Sequence, residues 1–274
     1  MPIRKMLMPL SLGTRDDKML AFACGLSAQG VRELLVAHVV DSSGQEAPVI
    51  IREVERARAK LLEMVEAYKT CGMSVEVRVA MGSVYEEISA LAHQAHVDVV
   101  CVGTEGKSLV DYLFSGSVSE DLALRGDERT MTVRFDLLET PEHARQVACD
   151  FGKRLVVPTD LSASAMRAFL SAFERPREAM GQVHLVHVRG DDIADVEPQL
   201  EGLASMAAAE HGVEVVTAVI DGDPAEAVLE YVASVDATGL ITGRRGRGTL
   251  AKGLLGSVSM RLIQGAPCPV VVQP

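Results

Sequence analysis

The chain has 274 residues, and its 27 Lys and Arg against 38 Asp and Glu give a formal net charge of −11 at pH 7. Apolar residues make up 48% of the sequence, which is typical of a core-forming globular protein, and the length predicts two domains. An acidic chain without a long Lys/Arg stripe repels polyanions, so binding to nucleic acid or to an anionic membrane is not expected.

A glycine motif occurs twice in the sequence, 140 residues apart. Its pattern is G-x-x-G, nine further residues and then G-S-V-S, and it covers residues 103–119 and 243–259. A spacing kept in two otherwise diverged segments indicates a duplicated domain. We predict a first domain at 1–138, a linker at 139–152 and a second domain at 153–274.

Strand-like and helix-like segments alternate through both copies. In the first copy, apolar residues three and four apart from Val54 to Tyr68 predict an amphipathic helix, and the last strand is expected at Val133–Leu138. The linker shows no strong hydrophobic pattern. In the second copy we predict strands at 155–157, 183–188, 214–220, 240–242 and 270–273, and helices at 163–173, in a segment ending near 208, at 224–235 and from 257 onward.

Helical crossovers between strands require the strands to run largely in parallel. The sequence therefore predicts an α/β fold of two tandem doubly wound, mainly parallel five-stranded sheets with helices on both faces. In such a sheet, ligands bind beyond the carboxyl ends of the strands where the winding direction reverses. The loops after the first and fourth strands of each copy are thus the places to look for a site.

The loop after the fourth strand of the second copy has the features of an anion site. Gly243 and Gly246 allow the main chain to approach a ligand closely, and Gly256-Ser257 opens a helix whose free N–H groups favour phosphate. Hydroxyl donors and positive charge are added by Ser257, Ser259, Arg244, Arg245 and Arg247. The alternative is a tight turn and a helix cap that hold no ligand.

An acidic residue follows the first strand of the second copy, in Pro158-Thr159-Asp160. Its carboxylate can accept hydrogen bonds from ribose hydroxyls or a base, although the same residues also suit a turn. The first copy has Ser11 at the equivalent place, and its glycine loop carries Glu105 where the second copy has Arg245. The two sites are therefore not expected to be equivalent.

Other candidate residues receive structural interpretations. His38 and His187 end matching apolar strands and are expected to be hydrogen-bonded parts of the fold. His93 and His96 lack a third ligand at a suitable spacing, so no metal site is predicted. The sequence holds no Walker A motif, nucleophile elbow or strand-linked G-x-G-x-x-G, and no catalytic residue is assigned.

The cysteines predict a cytoplasmic protein. They are odd in number, never closer than 30 residues and form no C-x-x-C pair, which is typical of reduced thiols. Pro9 and the charged residues after it interrupt the N-terminal apolar stretch before a signal-peptide core is complete. No apolar run approaches the roughly 20 residues that span a bilayer.

Taken with Pro158-Thr159-Asp160 and the terminal segment 266–272, the two glycine motifs resemble the tandem form of the universal stress protein family. Nucleotide-binding members of that family carry G-x-x-G, nine residues and then G-[ST]. The resemblance covers nearly the whole chain. It implies binding of an adenine nucleotide, ATP, ADP or AMP. Mg²⁺ is an optional companion that would be bound through the nucleotide phosphates.

The resemblance also implies residue roles. Asp160 would bind the adenosine, Val188 would contact adenine through its backbone, and Thr242 and Gly243 would line the base and ribose. The complete set predicted for the second copy is Thr159, Asp160, Val188, Thr242, Gly243, Arg245, Gly246, Gly256, Ser257, Val258 and Ser259. In the first copy Gly103, Gly106, Gly116, Ser117 and Ser119 match the motif, but Ser11 departs from the family's acid, so the second copy is the predicted site.

Family members pair through the last strand of each domain, so 133–138 and 270–273 would face one another or join copies across chains. This predicts an internal pseudo-dimer, with a further homodimer as an option. The leading functional hypothesis is a nucleotide-binding regulator of a stress response that acts on a protein partner not identified by the sequence. The alternatives are a slow ATPase or autophosphorylating enzyme and a nucleotide-free dimerisation scaffold.

Overall fold

The computed structural model describes residues 3–41, 46–105, 128–190, 196–246 and 255–274. The first copy contains the strands β1 (Lys5–Pro9), β2 (Glu33–Val40), β3 (Ser74–Met81), β4 (Val99–Thr104) and β5 (Thr130–Arg134), and the helices α1 (Asp16–Gly25), α2 (Ala47–Glu66) and α3 (Val84–Ala95). The helix α4 (Pro141–Asp150) follows. The second copy contains β6 (Arg154–Pro158), β7 (Gln182–Val188), β8 (Val215–Ile220), β9 (Gly239–Gly243) and β10 (Val270–Gln273), and the helices α5 (Ala163–Ser171), α6 (Val196–His211), α7 (Pro224–Ser234) and α8 (Ser257–Gly265).

The strands form one sheet with the order β3-β2-β1-β4-β5-β10-β9-β6-β7-β8. All neighbouring strands are parallel except β5 and β10, which pair antiparallel with Val271 opposite Met131. The predicted α/β fold is thus confirmed, and pairing between the last strands of the two copies, which the family resemblance implied, makes the two five-stranded sheets halves of a single sheet. They join because the apolar strand Val270–Gln273, which needs cover, pairs with the last strand of the first copy.

The last strand of the first copy was predicted in the wrong place. It spans Thr130–Arg134, and Phe135–Leu137 form a turn of 3₁₀ helix instead of the strand expected up to Leu138. The Arg134 guanidinium pairs with the Asp136 carboxylate just past the strand end. The strand ends there because Arg134 pairs with Thr104, the last residue of β4, so β4 offers no partner to the residues that follow.

The segment 139–152, interpreted as a linker, contains the helix α4. Thr140 caps this helix by accepting a hydrogen bond from the His143 N–H (3.1 Å), and Pro141 occupies its first turn. Ala144 and Ala148, four residues apart, are fully buried. Two alanines are a weak hydrophobic signal, which is why the pattern looked featureless.

The hydrophobic core differs between the two faces of the sheet. On one face a single cluster joins both copies and contains Phe22, Phe151 and Phe169. Two smaller clusters each belong to one copy, one around Leu262 and the other around Ile88. The shared cluster fixes the first copy to the second, so the positions of the loops at the carboxyl ends of the strands are set by the whole chain.

None of the helices in the described ranges combines the length and apolarity needed to cross a membrane.

Substituting Gly202 by alanine is expected to stabilise the protein. Gly202 lies on the exposed face of α6, and nothing lies within 4 Å of the position that a Cβ would occupy. Since glycine costs about 1 kcal/mol relative to alanine inside a helix, Gly202→Ala should raise the free energy of unfolding by about 0.5–1 kcal/mol, measured by urea denaturation. A lower urea midpoint would contradict a continuous helix at this position.

Candidate functional site

A cavity of about 410 Å³ lies at the carboxyl ends of β6 and β9. These two strands are neighbours in the sheet, and the chain continues from β6 to β7 on the other side, so the winding direction reverses between them. This is the place at which open α/β sheets bind ligands. The cavity walls come from the loop after β6, the end of β7, the start of α7, and the glycine loop that leads into α8.

The residues predicted for the second copy all line this cavity. They are Thr159, Asp160, Val188, Thr242, Gly243, Arg245, Gly246, Gly256, Ser257, Val258 and Ser259. Sequence reasoning assigned them from separate segments of the chain, and the fold brings them together. Their contact with a ligand stays a prediction.

The loop after β6 is held by its own side chains. The Leu161 N–H donates to Thr159 Oγ1 (3.0 Å), and the Ser162 N–H donates to Asp160 Oδ1 (2.9 Å). The other carboxylate oxygen of Asp160 lies 2.7 Å from the position of a Cβ added to Gly246. Asp160 therefore faces the glycine loop across the crevice, and Gly246 leaves room for this approach.

The N-terminus of α8 opens onto the same cavity. Gly256 precedes the helix in an extended conformation and provides no side-chain cap, while its own N–H donates to the Arg244 carbonyl (2.9 Å). The first-turn N–H groups of this nine-residue helix carry the positive end of its dipole. Arg245 adds a cationic side chain to the lining. Together these groups favour an anion.

Two of the predicted hydroxyls serve the loop itself. Ser259 Oγ donates to the Gly243 carbonyl (2.8 Å), and Thr242 Oγ1 lies 3.2 Å from the same oxygen. Both residues are buried. The Ser259 hydroxyl therefore already has a main-chain acceptor, and whether it also contacts a phosphate stays a prediction. Ser257 is exposed, and its contact with a phosphate is likewise a prediction.

The three arginines of the loop differ in position. Arg245 lines the cavity, whereas Arg244 is only 4% exposed and directs Nη2 to the carbonyl of Glu128 in the first copy (3.3 Å). Arg247 lies outside the described residues. Of the described arginines in this loop, Arg245 is the one that lines the cavity.

The two strand-end histidines are hydrogen-bonded parts of the fold, as predicted. His187 and His38 each direct Nδ1 to a main-chain carbonyl 2.8 Å away, that of Thr159 and that of Leu10. His93 pairs with Glu128 (3.0 Å). No group of three His, Cys, Asp or Glu that could hold a metal ion is found in the described part of the chain.

Further lining residues were not predicted. They are Pro158, Ala165, Val186, His187, Gly190, Pro224 and Val228. Pro224 carried a sequence signal, since it starts α7, but nothing local indicated that the start of this helix meets the end of β7. The apolar members give one wall of the cavity a surface suited to a flat ring system.

The first copy is different at the corresponding place. Arg15, at the entry to α1, pairs with Glu105 in the loop after β4, and its guanidinium carbon lies 4.9 Å from the centre of the Phe135 ring. A Cβ added to Gly103 would lie 2.3 Å from Phe135 Cζ. The segments that follow β1 and β4 are thus joined by an ion pair in the first copy. The other predicted residues, Gly106, Gly116, Ser117 and Ser119, lie outside the described residues.

Ser11 does not replace the acid of the second copy. Its Oγ donates to Asp16 Oδ1 (3.3 Å), while the Gly13 N–H donates to Asp16 Oδ2 (3.0 Å). Asp16 is 3% exposed, and burial raises the pKa of its carboxyl despite these hydrogen bonds. The described parts of the two sites are therefore not equivalent, as the sequence predicted.

Comparison with known proteins decides the family. The universal stress protein family model matches residues 2–134 and 152–274, which is most of the chain in two consecutive segments. The chain belongs to the universal stress protein family. It contains two tandem domains of this family, and the matched ranges leave 135–151 between them.

Individual relatives match one copy or the whole chain. A universal stress protein of Methanocaldococcus jannaschii is 29% identical over 142 residues, 44% of this chain and 81% of that protein. One from Bacillus subtilis is 28% identical over 148 residues, 44% of this chain and 98% of that protein. The crystal structure of a universal stress protein from Archaeoglobus fulgidus is similar over 99% of this chain and 96% of its own, with 26% identity and a TM-score of 0.83.

Proposed function

We propose that this universal stress protein binds an adenine nucleotide, ATP, ADP or AMP, in its second copy, and that occupancy regulates a stress response. The observation that carries the proposal is the cavity in which Asp160 faces Gly246 and in which Arg245 and the uncapped start of α8 also lie. A carboxylate suits the ribose hydroxyls, and the helix start with its arginine suits the phosphates. Any Mg²⁺ would enter with the nucleotide, bound to its phosphates.

The regulatory part of the proposal follows from the energetics of binding. A nucleotide shifts a conformational or assembly equilibrium only by its difference in affinity between the two states. The enzyme alternative has less support, since two titratable side chains of the lining, Asp160 and His187, are engaged with main-chain groups. Turnover measured in the same samples would distinguish a slow ATPase from a sensor.

The cellular context is also part of the proposal. We place the protein in the cytoplasm, where its free cysteines remain reduced. Burial raises the pKa of the Cys101 and Cys268 thiols to about 12, so neither is an activated thiolate. Because β5 and β10 pair within the chain, we propose that it acts as an internal pseudo-dimer, and that any second chain joins through another surface.

Removing the Asp160 carboxylate is expected to abolish the response to nucleotide. We would follow thermal unfolding with ATP, ADP, AMP and GTP, each with and without Mg²⁺. A ligand at 100 times its dissociation constant stabilises a protein by about 2.7 kcal/mol, which corresponds to a shift of several degrees. Wild type should shift with adenine nucleotides, and Asp160→Ala should not.

Two control variants separate loss of the ligand contact from loss of the fold. Asp160→Asn keeps an oxygen that can accept from the Ser162 N–H, so it should unfold like wild type and still respond weakly to nucleotide. Ser11→Ala changes the equivalent position of the first copy and should respond like wild type. The proposed function would be contradicted, and a scaffold favoured, if none of the nucleotides changed the unfolding temperature of wild type and no bound nucleotide could be extracted from it.

A further inference from the structure

Arg244 links three parts of the second copy through its main chain. It lies between the two glycines of the loop after β9. Its N–H donates to the Gln273 carbonyl at the end of β10 (2.8 Å), and its carbonyl accepts from the Gly256 N–H (2.9 Å). Gly256 is the residue from which α8 starts. The position of Arg244 therefore sets where the loop and the helix N-terminus stand relative to each other.

The side chain of Arg244 is anchored in the first copy. It is 4% exposed, and Nη2 donates to the main-chain carbonyl of Glu128 (3.3 Å). Glu128 lies two residues before Thr130, the first residue of the strand β5. Because β5 and β10 run antiparallel, the carboxyl edge of the second half of the sheet meets the amino edge of the first half. A buried guanidinium is costly unless it is hydrogen-bonded, so this contact constrains where Arg244 lies.

Glu128 is itself held by the helix α3. Its side chain is 9% exposed, and Oε1 lies 3.0 Å from His93 Nε2 and 3.3 Å from Ser89 Oγ. A series of hydrogen bonds thus runs from the start of α8, through Arg244 and Glu128, to a helix of the first copy. None of these first-copy residues lines the cavity.

We propose that Arg244 is a positioning residue for the nucleotide site, and that the site in the second copy is held in shape by the first copy through the contact of Arg244 with Glu128. The inference rests on the proposed function for its ligand. In physical terms, the first-turn N–H groups of α8 keep their direction only while the Arg244 side chain is bound to the Glu128 carbonyl. Changes on α3 that release Glu128 are therefore expected to alter nucleotide affinity.

The positioning role is tested without nucleotide by hydrogen exchange at the Gly256 amide, which donates to the Arg244 carbonyl. Arg244→Met should accelerate this exchange at least about fivefold, the lower end of typical coupling between sites, and should raise the Kd for ADP by about 5- to 150-fold. Arg244→Lys, which keeps a donor, should show a smaller change. Arg154→Met is the matched control, because Arg154 also holds a main-chain carbonyl, that of Val235, but at the opposite edge of the sheet.

Exchange at Gly256 that is the same in Arg244→Met and in wild type would overturn the inference, whether or not nucleotide binds. A wild type that binds no ADP would overturn the proposed function, while the exchange result would still decide the role of Arg244. If Arg244→Met does not fold, the same comparison is made with the Ser89→Ala/His93→Ala variant, which releases the Glu128 side chain, and Gly256 exchange equal to wild type again overturns the inference.

The dependence on the first copy is tested by a double-mutant cycle. Ser89→Ala with His93→Ala frees the Glu128 side chain and should raise the Kd for ADP at least about fivefold. In the Arg244→Met background the same pair should have no further effect, because the connection is already broken. An equal effect in both backgrounds, or no effect in wild type, would show that the first copy does not act through Arg244.

Discussion

Gly243→Val is expected to abolish nucleotide binding and to lower the free energy of unfolding by about 3 kcal/mol, the upper end for an overpacked core position. A Cβ on Gly243 would lie 2.7 Å from Ser164 Oγ and 2.9 Å from the Ser164 carbonyl carbon. The second of these atoms belongs to the main chain at the start of α5, which a rotamer change does not move. The end of β9 and α5 must therefore separate, and both border the candidate nucleotide site.

The experiment compares urea denaturation and ADP binding of Gly243→Val with those of Gly190→Ala. Gly190 lines the same cavity, and nothing lies within 4 Å of its Cβ position, so this control should change the free energy of unfolding by no more than about 0.5 kcal/mol. A Gly243→Val protein that binds ADP as wild type does would show that β9 and α5 are not in close contact.

Gly25→Val is expected to destabilise the protein by about 3 kcal/mol or more, with no direct effect on the site. A Cβ on Gly25 would lie 2.3 Å from the Arg145 carbonyl oxygen and 2.7 Å from Ala148 Cβ. These atoms belong to α4, so the two helices pack with main chain nearly against main chain. The added side chain forces α1 and α4 apart and opens the core cluster that joins the two copies.

The matched control is Gly202→Val, which makes the same substitution inside a helix where no atom lies within 4 Å. Valine and glycine differ by only a few tenths of a kcal/mol in helix propensity, so this control should unfold close to wild type. If Gly25→Val unfolded at the midpoint of Gly202→Val, the segment 141–150 would be a loose linker and not a packed helix.

The strands were largely predictable from the sequence. Val270–Gln273 is where the pattern placed it, and the strands predicted at 155–157 and 183–188 are each one or two residues longer in the structure. These strands are short runs of branched apolar residues bounded by Pro, Gly or charged residues, a pattern that few other structures fit. Helix α4 was missed because its buried face consists of Ala144 and Ala148, whose contribution depends on Gly25 in a distant helix.

The site was predictable to a similar degree. Its residues follow two strands that the repeat identified, and the rule on reversal of winding placed both loops at one crevice. Local sequence could not indicate that the Ser259 hydroxyl donates to the Gly243 carbonyl while Ser257 is exposed. Nor could it distinguish Arg244, which is buried, from its neighbour Arg245 in the cavity.

The sequence by itself determined the duplication, the α/β class, the family resemblance and the segments that surround the candidate site. These properties follow from periodicity and from motif spacing, which can be read along the sequence without knowing which distant segments meet. Only the tertiary structure decided that Phe135 packs against Gly103, that Arg15 pairs with Glu105, and that Arg244 reaches Glu128. Each of these depends on the antiparallel pairing of β5 with β10 or on packing between distant segments, and the energy of such contacts belongs to pairs of residues that no local pattern relates.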